Sequence, residues 1–495
     1  MKPIAIIIGS GIAGIATAIR LATLGYHVEV FEKNTYPGGK LSEINLNGFR
    51  FDAGPSLFTL PELVEELYRL AGKPAHKYFH YIRLPKITEY FFANGKRLTA
   101  YADPEKFAQE ASEKLGEPAE NVLSYLKESK ELFEMTEPVF LKKSLHRLST
   151  YLSLDTLKAF LQLHRLDNFR SLHRAHEQSF KTAEMIQLFN RYATYNGSNP
   201  FVAPATLKVI PHLEFGIGAF FPTKGMYHIT QSLVDLAREV GVKFHFGSEV
   251  SEIYLEGKYA NGIIANGQKV RADIVVSNMD IVATYRKLLK NVRPPQKLLS
   301  QTKSSSAIIF YWGIQKTFPQ LDLHNIFFSS DYEEEFRKIF IEKKLADDLT
   351  VYVNISSKYL PTDAPKGCEN WFVMINAPAN EGQDWDSLIA HAKKVILEKL
   401  SRNLEVSVAD LIVAETTLDP RTIESKTSSS QGALYGNSSN TPYAAFFRHP
   451  NFSQQIRNLY FCGGSVHPGG GIPLSLLSAK IVGDLVSKKK KLLVK

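Results

Sequence analysis

The segment AIIIGSGIAGIATAIRLATLGYHVEVFEK, residues 5 to 33, restricts the fold of this chain more than any other part of it. Ile4 to Ile8 is an unbroken apolar run, suited to a parallel strand covered on both faces, and it breaks at Gly9, Gly11 and Gly14. Ile15, Ile19 and Leu24 then follow a helical spacing, and His27 to Phe31 supplies a second strand that ends at Glu32. Strand, glycine turn, helix and strand are the frame of a Rossmann-type dinucleotide site. Gly9 is expected to permit the tight turn, Gly11 to leave room for a pyrophosphate, and Gly14 to let the helix lie close on the strand. The helix start, Ile12 and Ala13 included, faces the phosphates. Glu32, followed by Lys33, stands where a carboxylate accepts hydrogen bonds from a ribose.

Composition removes several other classes. The chain has 495 residues, 44% hydrophobic and 22% charged, enough for two or three packed domains. Its 59 Lys and Arg against 50 Asp and Glu leave a net charge of +9, too mild and dispersed to indicate nucleic acid. Cys368 and Cys462 lie far apart, without metal-ligand spacing, so neither a disulfide framework nor a zinc site is expected, and a reducing, cytoplasmic setting is. The first strand follows Met1, Lys2 and Pro3 directly, so no leader is expected. No apolar run is long enough to predict a transmembrane helix.

The choice of dinucleotide rests on later segments. Pro37-Gly38-Gly39-Lys40 resembles the second phosphate-proximal motif of large flavoproteins, and Phe49 to Ser56, with Gly54, Pro55 and Ser56 at its end, resembles the segment beside the flavin ring. Near the other terminus stands NLYFCGGSVHPGGGIPLSLLSAKIVGDLV, residues 458 to 486. Leu459 to Cys462 reads as a strand, Gly463 and Gly464 as a turn, and Gly469 to Gly471 lead into Ile472 and Pro473, which suit a first helical turn. Leu474, Leu477, Ile481 and Leu485 give that helix a buried stripe. A glycine-lined helix start directs N–H groups and a positive dipole end at developing negative charge, which a reduced flavin carries at its N1 to C2=O edge. Both ends of the chain therefore suit one cofactor, FAD.

Between them, Val242 to Phe246, Val250 to Leu255, Tyr259 to Ala265 and Ala272 to Ser277 read as successive strands, with Val250 by the adenine and Asn278 returning to the nucleotide site. The predicted class is α/β: a Rossmann-type FAD-binding domain in three pieces (1–70, 222–288 and 445–495), a helical, membrane-facing insertion (71–221), and an antiparallel-sheet substrate domain (289–444). Ala307 to Trp312, Thr350 to Asn354 and Trp371 to Asn376 are its strands, with Tyr311, Trp312, Tyr352 and Phe372 as candidate channel residues or plain core. Residues 142 to 181 hold eight Lys or Arg against three Asp or Glu, interleaved with Leu148, Leu152, Leu157, Phe160, Leu161 and Leu163. That pattern fits either a basic amphipathic helix in a lipid interface or a solvated face packed on the core. His146, His164, His173 and His176 form no metal set, and the tail Lys488 to Val494 is either a frayed terminus or a contact for anionic headgroups.

With the glycine loop, Gly38-Gly39-Lys40, Gly54-Pro55-Ser56, RYATYNGSNPFVAPATL at 191 to 207 and GGSVHPGGGIPLSLLSAK at 463 to 480, the chain resembles bacterial carotenoid desaturases of the phytoene-desaturase type along nearly its whole length. Leu474 follows Pro473 where phytoene desaturases often have glycine, a departure that resembles the 1-hydroxycarotenoid 3,4-desaturase subgroup. The resemblance implies an FAD-dependent enzyme that takes a hydride and a proton from an allylic C–C bond of an acyclic or monocyclic carotenoid. It further implies peripheral contact with the cytoplasmic membrane. Loss of a hydride leaves a delocalised cation that sheds its proton readily, so a weak base or water suffices. Arg191, Tyr195 and Asn196 fall in the shared stretch and are the candidate catalytic residues, or else local turn hydrogen-bonders. No second complete glycine fingerprint appears, since Gly216 to Phe221 lacks the last glycine, which points to oxygen or a quinone as electron acceptor. Phytoene desaturase proper, a flavin-dependent carotenoid isomerase, a pigment carrier and a flavin amine oxidase are the alternatives.

Overall fold

The computed structural model describes residues 2–138, 146, 170–441 and 448–493. The opening segment forms β1 (Ile4–Ile8), α1 (Ile12–Thr23) and β2 (His27–Phe31). Gly9 ends the strand with φ at +93°, a conformation that side-chain-bearing residues rarely adopt. A Cβ on Gly14 would lie 2.2 Å from the Gly9 carbonyl oxygen, so only glycine lets α1 rest this close to β1.

Three further strands, β3 (Lys243–His245), β4 (Ile274–Ser277) and β5 (Leu459–Phe461), complete a parallel sheet in the order β5-β4-β1-β2-β3. Ile6 sits opposite both Val275 and Glu29, and Val275 opposite Leu459. Alternation turns Ala5, Ile7, Val30 and Val276 toward the core that α1 shares with the C-terminal helix Ile472–Leu493. It turns Ile6, Ile8 and Val275 toward a small antiparallel sheet, Val250–Glu256, Tyr259–Ala265 and Gln268–Arg271. Cover on both faces is why β1 reads as a continuous apolar run. The strand read as Ala272 to Ser277 begins at Ile274, because residues 268–271 pair in the small sheet instead.

The second large sheet has seven strands in the order Ile412–Leu418, Ser306–Ile314, Glu369–Ala377, Val351–Asn354, His324–Phe327, Lys86–Phe91 and Arg97–Tyr101. Its last two strands come from the stretch read as a helical insertion: Lys86–Phe91 pairs in parallel with His324–Phe327 and antiparallel with Arg97–Tyr101. The 71–221 stretch is therefore helical only in part. Its hairpin carried a signal, Asn94-Gly95, with Gly95 at φ +85°. Trp312 lies opposite Trp371, and both pack in the core shared with helix Trp385–Leu404. Tyr311 and Phe372, also paired, face the other way, toward the nucleotide-proximal segment Phe49 to Ala53.

Of the basic stretch 142–181, only His146 and residues from 170 on are described; Leu148, Leu152, Leu157, Phe160, Leu161, Leu163 and His164 lie outside the described residues, as does Val494. Among the described residues no helix is long and apolar enough to cross a membrane.

Candidate active site

A cavity of about 710 Å³ is lined by residues of both large sheets. Its first half is a glycine cradle assembled from three chain segments around one side chain, Asn278. The Asn278 amide Nδ2 donates to the Cys462 carbonyl at 3.1 Å, tying the end of β4 to the end of β5. Its Oδ1 occupies the place beside Gly11, where a Cβ would come within 2.6 Å, and its Nδ2 the place beside Gly463, again at 2.6 Å. Gly11 thus has a reason beyond room for a pyrophosphate: it admits Asn278.

Gly9, Gly11, Ile12, Ala13, Glu32, Lys33, Gly39 and Lys40 all line the cavity, as do Gly54, Pro55, Ser56, Val250 and Asn278. Gly463, Gly464, Gly471, Ile472 and Pro473 line it from the C-terminal side. Gly14 alone of the sequence-chosen cradle residues does not, because it lies behind the loop against the Gly9 carbonyl.

The Glu32 carboxylate is held at four points. Oε2 accepts from Ser10 N at 2.8 Å and Ser10 Oγ at 2.9 Å, and Oε1 accepts from Asn34 N and Asn34 Nδ2, both at 2.9 Å. Two backbone donors fix its position, and the two side-chain donors are those that ribose hydroxyls can replace. Lys33 reaches across to the Ser425 carbonyl at 2.6 Å. Lys40 is wholly buried and donates to the carbonyls of Ala433, at 3.0 Å, and Leu434, at 2.7 Å. Burial pushes its ammonium down to about 8, against the opposing pull of Asp280. Gly54 lies so close to this lysine's backbone that a Cβ would fall 1.8 Å from the Lys40 carbonyl oxygen.

Opposite, Gly471 has φ at +100° and nothing within 4 Å of where its Cβ would be, and the C-terminal helix starts at the next residue. The first turn of that helix presents unpaired N–H groups and the positive dipole end to the cavity. Glycine conformation, an ordered carboxylate and two helix starts on one cavity fit a dinucleotide whose ring lies toward Gly471.

The second half of the cavity is an apolar pouch. Ile309, Tyr311, Tyr352, Phe372 and Met374 line it from the sheet, and Leu207, Ile210 and Leu213 from the helical side. Trp312, one residue from Tyr311, points to the opposite face and takes no part, so of the four aromatic candidates three line the pouch. The Tyr311 hydroxyl donates to the Ala53 carbonyl at 2.7 Å, and the Ser56 and Tyr352 hydroxyls share a bond of 2.7 Å.

Arg191, Tyr195 and Asn196 lie on one short helical stretch, Arg191–Asn196, and all three line the cavity. Their bonding is not confined to the turn. Arg191 Nη2 donates to the Tyr90 hydroxyl at 2.9 Å and to Glu214 Oε2 at 3.3 Å, and the Tyr192 hydroxyl also donates to that oxygen. The guanidinium lies 4.4 Å over the Tyr192 ring and 5.6 Å over that of Tyr195. Burial disfavours its charge, but Tyr90 and Glu214 more than offset this and hold its pKa above the ordinary arginine value. The Asn196 carbonyl accepts from Ser198 Oγ at 3.3 Å.

Two residues of the pouch were missed in sequence. Glu214 sits on a single wide turn, Leu213–Ile217, inside what reads as a broken glycine motif. His324 is a lone histidine in a four-residue strand and carried no local signal. Its Nδ1 is 2.7 Å from the Tyr352 hydroxyl, and burial together with the Arg191 charge pushes its pKa down to about 3, so the ring is neutral. No group of three or more His, Cys, Asp or Glu able to hold a metal occurs among the described residues, and both cysteines are free.

These features define a flavoenzyme, and the chain belongs to the flavin-containing amine oxidoreductase family, whose model matches residues 12–486. Its cofactor is FAD. Within that family the chain is 52% identical over 482 residues, 97% of its length and 98% of the relative's, to a 1-hydroxycarotenoid 3,4-desaturase of Flavobacterium sp. (strain P99-3). It is 33% identical over 498 residues, covering 97% of each chain, to a 4,4'-diapolycopene oxygenase of Methylomonas sp.. A crystal structure of an oxidoreductase from Methanosarcina mazei superposes with a TM-score of 0.64 at 17% identity, covering 97% of this chain and all of the other, which shows a shared fold.

Proposed function

We propose that this chain is an FAD-dependent carotenoid desaturase that extends the polyene of an acyclic or monocyclic carotenoid end by removing a hydride and a proton across an allylic C–C bond. One observation carries the reading: a single cavity joins a dinucleotide cradle to an apolar, aromatic pouch, in a chain whose relatives act on carotenoids. FAD, when bound, supplies the two-electron acceptor.

The protein's part is to hold, orient and exclude. The α1 start at Ile12 and Ala13 directs N–H groups at the pyrophosphate, and Glu32 takes the ribose hydroxyls. The helix start after Gly471 aims its positive end at the site where negative charge develops. Tyr311, Phe372, Met374 and Ile309 bury the polyene and keep water from the reacting carbon. A delocalised cation is a strong carbon acid, so no activated base is required, in keeping with a pouch whose histidine is neutral and whose glutamate is paired with Arg191.

Peripheral attachment to the cytoplasmic membrane and reoxidation by oxygen or a quinone belong to the same proposal. The composition of 142–181 and the absence of a second glycine fingerprint support them.

The test is anaerobic mixing of the FAD-loaded protein with a carotenoid in liposomes. Bleaching of the flavin with a red-shifted polyene is the expected result. A geometric isomer without bleaching would mean an isomerase, no change a carrier, and turnover of an amine in place of the polyene an amine oxidase.

A further inference from the structure

Nine buried side-chain polar atoms among the described residues have no hydrogen-bond partner. Three of them, Arg191 Nε, Thr206 Oγ1 and His324 Nε2, belong to residues on the cavity wall. A buried donor left unpaired is costly, and natural proteins tolerate it where a ligand completes the bond.

The protonation of His324 follows from its neighbours. Asn354 Nδ2 donates to the Leu323 carbonyl at 3.0 Å, which fixes that amide's orientation, and the same nitrogen lies 3.2 Å from His324 Nδ1. An amide nitrogen only donates, so Nδ1 is an acceptor, and in a neutral ring the proton is then on Nε2. His324 thus holds an N–H donor without a partner. The residue is only 3% exposed.

Arg191 stands beside it on the same wall. Its partner Tyr90 is opposite Ile326 in the sheet register, and His324 lies two residues before Ile326, on the same face. A hydrocarbon offers no acceptor to the two N–H groups, whereas an oxygen does. Glu214 takes its bonds from Arg191 and Tyr192 on Oε2 alone, which leaves Oε1 to accept a proton that such an oxygen carries. Two donors and one carboxylate oxygen match a hydroxyl, which accepts and donates at once.

We propose that Arg191, His324 and Glu214 form a hydroxyl-recognition site in the pouch, so that the protein selects a carotenoid bearing a hydroxyl over the corresponding hydrocarbon. This rests on the desaturase reading and deepens it. The site sets specificity by hydrogen bonding: a pocket with unpaired donors loses affinity for an analogue that lacks the oxygen.

The experiment uses the full-length, FAD-loaded protein in detergent micelles. Binding of a 1-hydroxycarotenoid and of its parent hydrocarbon is followed by the visible band of the polyene, and desaturation of each is measured in parallel. Wild type should bind the hydroxylated polyene at least ~10-fold more tightly. His324→Phe should bring that ratio close to one by weakening the hydroxylated ligand alone. His324→Gln, whose amide N–H can replace Nε2–H, should keep most of the preference. A wild-type ratio near one overturns the inference even where a variant does not fold, and so does an unchanged ratio in a yellow, folded His324→Phe. Equal desaturation of both polyenes removes the hydroxyl site and leaves the desaturase reading standing, whereas binding and turnover of neither removes both.

Discussion

The two halves of the cavity differ in how complete they are. In the cradle, Glu32, Lys40 and Asn278 each have protein partners, and glycines stand where a Cβ would strike Asn278 or a backbone carbonyl. In the pouch, hydrogen-bonding capacity is left over at Arg191, Thr206 and His324, and most of the wall is apolar. The cradle is a preformed fit for a group that never leaves, with little to gain from reorganisation. The pouch keeps unpaired donors whose cost is recovered only when the right ligand arrives, which is how binding energy becomes selectivity.

The largest break in this contrast comes from the cradle. Gly14→Val forces side-chain atoms into the Gly9 carbonyl, 2.2 Å from the first of them, and should abolish retention of FAD. The purified protein would be colourless, with the 450 nm band gone; a yellow protein would show that the loop can give way.

In the pouch, Arg191→Met should be the most damaging change to stability, because it strands Glu214 as a buried carboxylate. A loss of ~3–5 kcal/mol is expected in denaturant unfolding, largely recovered in Arg191→Met/Glu214→Gln. No recovery would mean that stacking of the guanidinium on Tyr192 matters more than charge pairing.

Glu32→Gln tests whether the cradle tolerates a graded change. It keeps the shape but loses the charge that strengthens bonds to ribose hydroxyls, so FAD affinity should fall about 10-fold, measured by titrating apoprotein with FAD. The pouch should be unaffected, with polyene selectivity in the reloaded protein unchanged.

The smallest effect is a pH dependence seated in the pouch. His324 titrates at about 3 in the folded protein against 6.5 for the free side chain, with burial the larger cause and Arg191 the second. Between those values the unfolded chain binds more protons, so the contribution of His324 to stability is complete above pH 6.5 and is lost as pH falls toward 3. Wild type should therefore lose Tm between pH 7 and 4.5, and His324→Phe should lose about 2 °C less over the same range. An identical slope in both would mean that the ring is already charged when buried.

Much of the cradle was legible because its signals are local. A glycine turn between a buried strand and a helix needs only neighbouring residues, so Gly9, Gly11, Glu32 and the helix after Gly471 were placed from spacing alone. The physical reason for Gly11 was incomplete, because the side chain that fills the space beside it, Asn278, arrives from a distant segment. The pouch was legible in part. Tyr311, Tyr352 and Phe372 were found through strand composition, but period two cannot tell which face is the cavity, and Trp312 faces the other core. The hairpin Lys86–Tyr101 was passed over despite its Asn-Gly turn.

The sequence by itself determined the Rossmann-type unit, the two glycine-rich ends and the type of cofactor, because those depend on backbone conformation and residue spacing over short stretches. Only the tertiary structure decided what the pouch does with its polar groups. His324 became an unpaired donor because Asn354 and Tyr352, on a neighbouring strand, occupy its other nitrogen, and Arg191 became its neighbour because Tyr90 and Ile326 pair across the sheet. Register between distant strands sets those contacts, and no local pattern encodes it.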